Sequence, residues 1–117
     1  MAYSSGSAGA FNPIGNTVVI TCDNTAPTAV QVVQNFSTLP SFCQYRFFNS
    51  GSGMIFLGWG ANAALASAAA VVPSTTTVSL PIAPGSIEIV SLPSNTYITG
   101  IGNTGPNVLY ITPGVGM

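Results

Sequence analysis

Short runs of β-branched and aromatic residues recur along the chain, and clusters of glycine, proline, asparagine and serine separate them. Runs of about four to six such residues between turn-forming clusters are typical of β-strands joined by tight turns. Turn signals at this regular spacing predict an all-β fold, a single-domain antiparallel β-sandwich. A jelly roll is one such arrangement, and Greek-key or up-and-down orders share the same local signals. We predict about eight short strands: Thr17–Thr21, Ala29–Val33, Gln44–Phe48, Met54–Leu57, Thr75–Leu80, Ser86–Val90, Thr96–Ile101 and Val108–Thr112.

Alternation of apolar and polar side chains predicts which face of a sheet some residues occupy. In Ile87-Glu88-Ile89, the period of two predicts that the isoleucines point to the core and that Glu88 points to solvent or a partner. Val108–Thr112 carries bulky side chains at every second position on both faces. This pattern is typical of a strand in the middle of a sandwich or in an interface.

Glycine-rich and proline-rich segments predict the connections. Asn49-Ser50-Gly51-Ser52-Gly53 supplies residues that tolerate positive φ between two predicted strands, which predicts a hairpin. Ala83-Pro84-Gly85 suits a β-turn. Gly100–Gly105 has the spacing G-x-G-x-x-G, but Pro106 and another strand follow it instead of a helix. It is therefore predicted to be a turn and not a dinucleotide-binding loop.

Two segments differ from the strand pattern. Residues 1–12 are mostly small and polar, with Tyr3 and Phe11 as their large side chains, and they predict a flexible N-terminal arm before a β-sandwich domain at 13–117. This beginning of the chain has no basic region or apolar stretch typical of a signal peptide. Ala61–Ala70 is rich in alanine, which predicts a short helix or an ordered loop connecting two halves of the sheet pair.

Charged side chains are the scarcest class in this chain. They are Asp23, Arg46 and Glu88, and the sequence has neither lysine nor histidine, whereas about a quarter of an ordinary soluble domain is charged. A net charge near zero promotes association, so a homo-oligomer or a place in a larger assembly is expected. One arginine cannot neutralise a nucleic-acid backbone or bind an anionic membrane, so neither is an expected partner.

The same scarcity argues against catalysis, because the residues that transfer protons, attack substrates or bind metals are nearly absent. Asp23 and Glu88 could form a carboxylate pair, but they are more simply read as solvated surface charges. Cys22 has no histidine to activate it, and two cysteines cannot complete a zinc site. We therefore expect no enzyme, cofactor or metal site, and Cys22 and Cys43 are expected to be buried free thiols.

Met54–Val72 is an uncharged segment long enough to cross a bilayer as a helix. Much of it is alanine, glycine, serine and asparagine, and no lysine or arginine flanks it. A buried segment of the sandwich is therefore the preferred interpretation, and a membrane span is the alternative.

Four residues are candidate interface residues: Tyr3, Phe11, Arg46 and Trp59. Tyr3 and Phe11 belong to the predicted arm, which could become ordered on a neighbouring subunit. Arg46 lies in an otherwise apolar strand, where it could anchor a partner by a bidentate bond or pair with Asp23 or Glu88 within the chain. Trp59 between two glycines suggests an anchor carried by a loop.

Two stretches, Tyr45–Gly60 and Leu80–Gly116, resemble small proteins encoded among the virion genes of tailed bacteriophages. Arg46–Asn49 with the following glycines resembles an "R-x-x-N-x-G" phrase that leads into an "F-x-x-G" strand. Pro81–Glu88 resembles an "L-P-x-x-P-G-x-x-E" phrase, and Leu109–Gly116 resembles a closing "L-Y-V-T-x-G-x-G" strand.

This resemblance covers roughly the last two-thirds of the chain, and the first forty residues match nothing in it. It implies a decoration or cement protein that lies on the major capsid shell of a virion after assembly in the host cytoplasm and bridges shell subunits. Together with the scarcity of charge, this reading predicts a homo-oligomer, such as a trimer. A tail, neck or fibre component that binds a surface ligand is the second hypothesis, and a small membrane protein using 54–72 is the third.

Overall fold

A computed structural model describes residues 11–33, 42–71, 79–102 and 104–116. Most strands within these ranges overlap the predicted runs, but Leu80–Ile82 shares only Leu80 with the predicted run Thr75–Leu80, and an additional strand lies at Phe11–Pro13. Helix α1 spans Ala63–Ala69 between the fifth and sixth strands. The strands are β1 (Phe11–Pro13), β2 (Val18–Cys22), β3 (Val30–Gln31), β4 (Phe42–Asn49), β5 (Ile55–Gly60), β6 (Leu80–Ile82), β7 (Ile87–Pro93), β8 (Tyr97–Gly102) and β9 (Asn107–Gly116).

The strands form two antiparallel sheets with a jelly-roll topology. One sheet has five strands: β9 pairs with β4, β4 pairs with the edge strand β7, and β1 and β2 lie along the other side of β9. The second sheet has the order β3-β8-β5-β6. From β2 onward the pairing is nested, with the first strand next to the last and the innermost two next to each other. The pairs are β2 with β9, β3 with β8, β4 with β7, and β5 with β6. This nested pairing confirms the predicted sandwich and identifies it as a jelly roll.

Alternate side chains of the central strands fill the space between the sheets. Tyr45 and Phe47 of β4 are fully buried, and their rings stack at a centroid distance of 6.5 Å. The Tyr45 hydroxyl donates a 2.8 Å hydrogen bond to the carbonyl of Pro93, so this polar group is not left unsatisfied in the core. The other strands contribute buried aliphatic side chains: Ile20, Val32, Ile55, Leu57, Ile82, Leu92, Ile98, Leu109 and Ile111.

The prediction of a hairpin at the segment between β4 and β5 is wrong. The segment is not a hairpin, because β4 belongs to the five-stranded sheet and β5 to the four-stranded sheet. The buried Asn49 side chain donates to the carbonyls of Gly53 (2.8 Å) and Ile82 (3.0 Å) and accepts from the amide of Gly51 (2.9 Å). Asn107 accepts from the amide of Gly53 (2.8 Å). These bonds stabilise a crossing between the sheets at a point where the main chain would otherwise be buried without partners.

The prediction that the isoleucines of β7 point to the core is also wrong. Ile87 and Ile89 point away from the core and are 48% and 47% exposed. In the β4–β7 register, Val90 lies opposite the buried Tyr45 and Leu92 lies opposite the buried Cys43. Val90 and Leu92 therefore occupy the inner face, and the period of two places both isoleucines on the outer face. Glu88, on the inner side, is exposed where the strand begins.

Helix α1 covers part of the outer face of the four-stranded sheet. Asn62 caps it, because the Asn62 side chain accepts a 2.9 Å hydrogen bond from the amide of Leu65. A Cβ atom on Gly58 of β5 would collide with the main chain of Ala66 and Ala70, so glycine permits this close approach. The predicted helix is thus present, but it follows β5 and precedes β6 of the same sheet and does not connect the two sheets.

Met54–Val72, the segment considered as a membrane span, is divided between strand β5 and the short helix α1. None of the helices in the described ranges has the length and apolar character needed to cross a membrane. The predicted turn at Ala83–Gly85 is confirmed, because the amide of Ser86 donates to the carbonyl of Ala83 (3.1 Å). The turn predicted at Gly100–Gly105 begins later than expected, because Gly100–Gly102 belong to β8. Gly105, at φ 89°, lies in the loop from β8 to β9.

The N-terminal strand β1 begins inside the segment that was predicted to be a flexible arm. Phe11 and Asn12 lie opposite Gly116 and Val115 of β9, so the sandwich includes them. Residues 1–10 lie outside the described ranges, and so do residues 75–78 of the predicted strand Thr75–Leu80.

Both cysteines are buried free thiols, as predicted. Burial raises the pKa of the Cys22 thiol to about 12 because the thiolate would lose its hydration. Cys22 ionises at a lower pH in the unfolded chain than in the folded protein. The stability contributed by the neutral, buried thiol is therefore fully present below about pH 9 and is lost as pH rises from about 9 towards 12.

We expect this ionisation to reduce the free energy of unfolding by roughly 1.4 kcal/mol per pH unit above about pH 9. The measurement is urea unfolding of the wild type and Cys22→Ala at pH 8 and pH 10.5. Because the variant lacks the thiol, the stability advantage of the wild type should shrink by about 2 kcal/mol between these pH values. An advantage that is equal at both pH values would show that the Cys22 thiol does not ionise differently in the two states.

Candidate interaction surface

The outer face of the five-stranded sheet carries an apolar row that crosses four strands. Val19 of β2 lies opposite Tyr110 of β9, Tyr110 lies opposite Phe48 of β4, and Phe48 lies opposite Ile87 of β7. Val19, Tyr110 and Ile87 are 54%, 37% and 48% exposed, and the rings of Phe48 and Tyr110 stack at 5.9 Å. We call these four residues the apolar row. Directly opposed apolar side chains stabilise the sheet, but they also leave a continuous apolar stripe in contact with solvent.

Beside the apolar row, a second row of opposed side chains contains the only cationic side chain in the sequence. Arg46 of β4 lies opposite Thr112 of β9 on one side and Ile89 of β7 on the other. The hydroxyl groups of Thr112 and Thr17 form a hydrogen bond of 2.8 Å, so these polar groups satisfy each other. Arg46 is therefore flanked by Ile89 and by a threonine whose hydroxyl is already paired.

No carboxylate in the described ranges pairs with Arg46. Asp23 accepts a hydrogen bond from the neighbouring amide of Asn24, and Glu88 points to the opposite side of the sheet from Arg46. The intramolecular ion pair that the sequence left open is thus not formed. Arg46 is half-buried, and a guanidinium can bind a carboxylate through two parallel hydrogen bonds.

The two outer faces of the sandwich differ in how well they are covered. Helix α1 lies on the four-stranded sheet and buries Ala66 and Ala70 there. Across the part of the chain that the structure describes, no helix lies on the five-stranded sheet. With four strands about 4.8 Å apart and a β9 of ten residues, that face measures about 600 Å². This is close to the smallest area that each partner contributes to a specific interface.

The structure brings two of the candidate interface residues to this face. Arg46 lies at its middle, and the Phe11 ring lies over Gly114 of β9, where any Cβ atom would collide with the ring. Tyr3 lies outside the described ranges.

Trp59 is not on a loop, as the sequence suggested, but on strand β5 opposite Ile98, and it packs against the core. It also forms one wall of an open cleft of about 220 Å³, lined by Trp59–Ala61 and Pro93–Thr96. The Thr96 hydroxyl donates to the carbonyl of Gly60 (3.2 Å), which connects the two sides of the cleft. The cleft is thus at a different place from the apolar row.

The apolar row itself was not predicted from the sequence. The available signal was the bulk on both faces of Val108–Thr112, which marked β9 as two-sided. The register that aligns Val19, Tyr110, Phe48 and Ile87 depends on pairing between distant strands. No family model matches the chain, and comparison with curated proteins and with solved structures gave no match.

Proposed function

We propose that this protein is a virion structural protein, a decoration or cement protein that binds the major capsid shell through the outer face of its five-stranded sheet. The observation that carries the proposal is the exposed apolar row beside Arg46, which forms no ion pair with any residue that the structure describes. Burying such a face on a larger surface removes apolar area from water, at about 25 cal/mol per Å² before the costs of association. The role is mechanical and requires no cofactor, nucleic acid or membrane.

The chemistry of this face supports one kind of partner over another. The strand positions on the face include Arg46 but no carboxylate. A second copy packed face to face would add another cation and no anion, so a different partner fits better. The complementary surface is apolar and presents a carboxylate that can reach Arg46. A subunit of the capsid shell is the partner we propose, on the sequence resemblance and on the use of jelly rolls in viral capsids.

A matched pair of variants tests which face binds the shell. Val19 and Leu65 are both 54% exposed, but Val19 belongs to the apolar row and Leu65 to helix α1 on the other side. We expect Val19→Ser to weaken binding to purified shells stripped of this protein by about tenfold, because it removes apolar contact area. Leu65→Ser should bind as the wild type does. The measurement is co-sedimentation with the shells over a range of protein concentrations.

The opposite ranking of these variants, or binding that neither variant changes, would contradict the proposal. Copy number by cryo-electron microscopy of whole particles is the independent check, since a decoration protein occupies many symmetric positions. A few copies at a tail or neck would favour the second candidate, a component that binds a surface ligand in the Trp59 cleft. The cleft is the observation behind that candidate, and in that case Trp59→Ala would reduce binding whereas Val19→Ser would not.

A further inference from the structure

The edges of the two sheets differ in their capacity to pair with another chain. In the four-stranded sheet, edge strand β3 has two residues and edge strand β6 has three, including Pro81. In the five-stranded sheet, one edge is divided between β1 and β2, whereas β7 is an uninterrupted edge of seven residues. Long edges with apolar side chains and few charges favour pairing with another strand. From this geometry we propose that two copies of this protein pair through β7, antiparallel and across a two-fold axis at Ile89.

The main-chain directions in β7 follow from its bonds to β4. The amide of Asn49 donates to the carbonyl of Ser86 (3.2 Å), so the odd-numbered residues of β4 direct their main-chain groups to β7. Their partners Glu88, Val90 and Leu92 direct their groups back to β4. By alternation, the N–H and C=O groups of Ile87, Ile89 and Ser91 point away from the sheet.

One register satisfies all of these outward groups. With the axis at Ile89, Ile89 lies opposite Ile89 of the second copy, and Ile87 lies opposite Ser91. About six main-chain hydrogen bonds then join the strands. A shift of one residue would place inner side chains opposite outer ones. A shift of two residues would place Ile87 opposite Pro93, which has no N–H, or Glu88 opposite Glu88.

Charge and exposure favour a second copy as the occupant of this edge. In the proposed register the Glu88 carboxylate faces Val90 of the other copy, so like charges are not opposed. The two Ile89 side chains, each 47% exposed in one chain, contact each other at the axis. Because the net charge is only −1, long-range repulsion between copies is small. The same strand serves both copies, as a two-fold interface requires.

Cysteine cross-linking tests the register with a matched control. Ile89 and Ile87 have nearly equal exposure, 47% and 48%, and the native thiols are buried. Two Ile89 positions would have Cα atoms about 5.5 Å apart, within disulfide range, whereas two Ile87 positions would be about 14 Å apart. In mild oxidant, Ile89→Cys should form covalent dimers at least about tenfold faster than Ile87→Cys. Equal rates, or no dimer from Ile89→Cys, would overturn the proposal.

Sedimentation velocity of the unmodified protein tests the association itself. The wild type should form dimers as its concentration rises over the micromolar range. Ile89→Pro should keep the fold, because the Ile89 N–H points outward and edge strands tolerate proline, and should raise the dimer Kd at least about tenfold. A wild type that stays monomeric throughout, or a folded proline variant that dimerises equally well, would overturn the proposal.

This pairing joins two β7 edges through main-chain hydrogen bonds, whereas shell binding is proposed to use the side chains of the outer face. The dimer measurements require only the isolated protein, so their outcome does not depend on the shell. A monomer that still binds shells through Val19 would overturn the dimer and leave the proposed function intact. A dimer that does not bind shells would do the reverse.

Discussion

Replacing Asn49 by alanine is expected to destabilise the protein by about 3 kcal/mol. The side chain is fully buried and donates to the carbonyls of Gly53 and Ile82 while accepting from the amide of Gly51. Alanine would leave these main-chain groups without this partner in a place that water cannot easily reach. Urea unfolding should show a lower midpoint with an unchanged m-value, since the surface exposed on unfolding hardly changes.

Two further variants separate hydrogen bonding from packing at this crossing. Asn49→Asp keeps the size of the side chain but replaces the donating amide group with a carboxylate, so it should be at least as destabilising as alanine. Ser50→Ala removes an exposed hydroxyl that donates to the carbonyl of Val108 and should change stability by less than about 0.5 kcal/mol. Full stability of Asn49→Asp would mean that the donated bonds do not hold the crossing together.

The Asn49–Gly53 segment illustrates a limit of local sequence signals. Asparagine, serine and glycine correctly indicated that the chain turns there, because these residues tolerate the required backbone conformations. They contain no information about which strand the next one will pair with. The decisive contacts come from Ile82 and Asn107, which are distant in sequence. The positions of most strands were therefore predictable, whereas the sheet to which each belongs was not.

In strand β7, local sequence signals also fail to show which alternate side chains face the core. Ile87 and Ile89 share one face of the strand, and Val90 and Leu92 share the other. Either face could therefore supply two apolar side chains to the core. Pairing with Tyr45 and Cys43 selects Val90 and Leu92. The isoleucines that sequence reasoning placed in the core are consequently on the outer face of the five-stranded sheet, which we propose as the shell-binding face. Arg46 could be singled out because it is the only cation, but its apolar neighbours could not.

Reversing the charge of Arg46 is expected to weaken binding to the capsid shell by about 100-fold, which corresponds to about 2.7 kcal/mol. Arg46→Glu would place a carboxylate against the anionic group that the partner is proposed to present there. Arg46→Gln removes the charge and should fall between the wild type and Arg46→Glu. Arg46→Lys keeps the charge but loses the planar pair of donors, so it should retain only part of the affinity.

The isolated protein provides the control for this series. Since Arg46 forms no ion pair within the described ranges, the substitutions should change the free energy of unfolding by less than about 1 kcal/mol. A loss of shell binding without a loss of stability therefore reports on the interface alone. The advantage of the wild type over Arg46→Gln should also decrease as salt is raised, because ions screen the charge pair. If Arg46→Glu bound as well as the wild type, the partner would present no carboxylate at this position, and binding would depend on the apolar row alone.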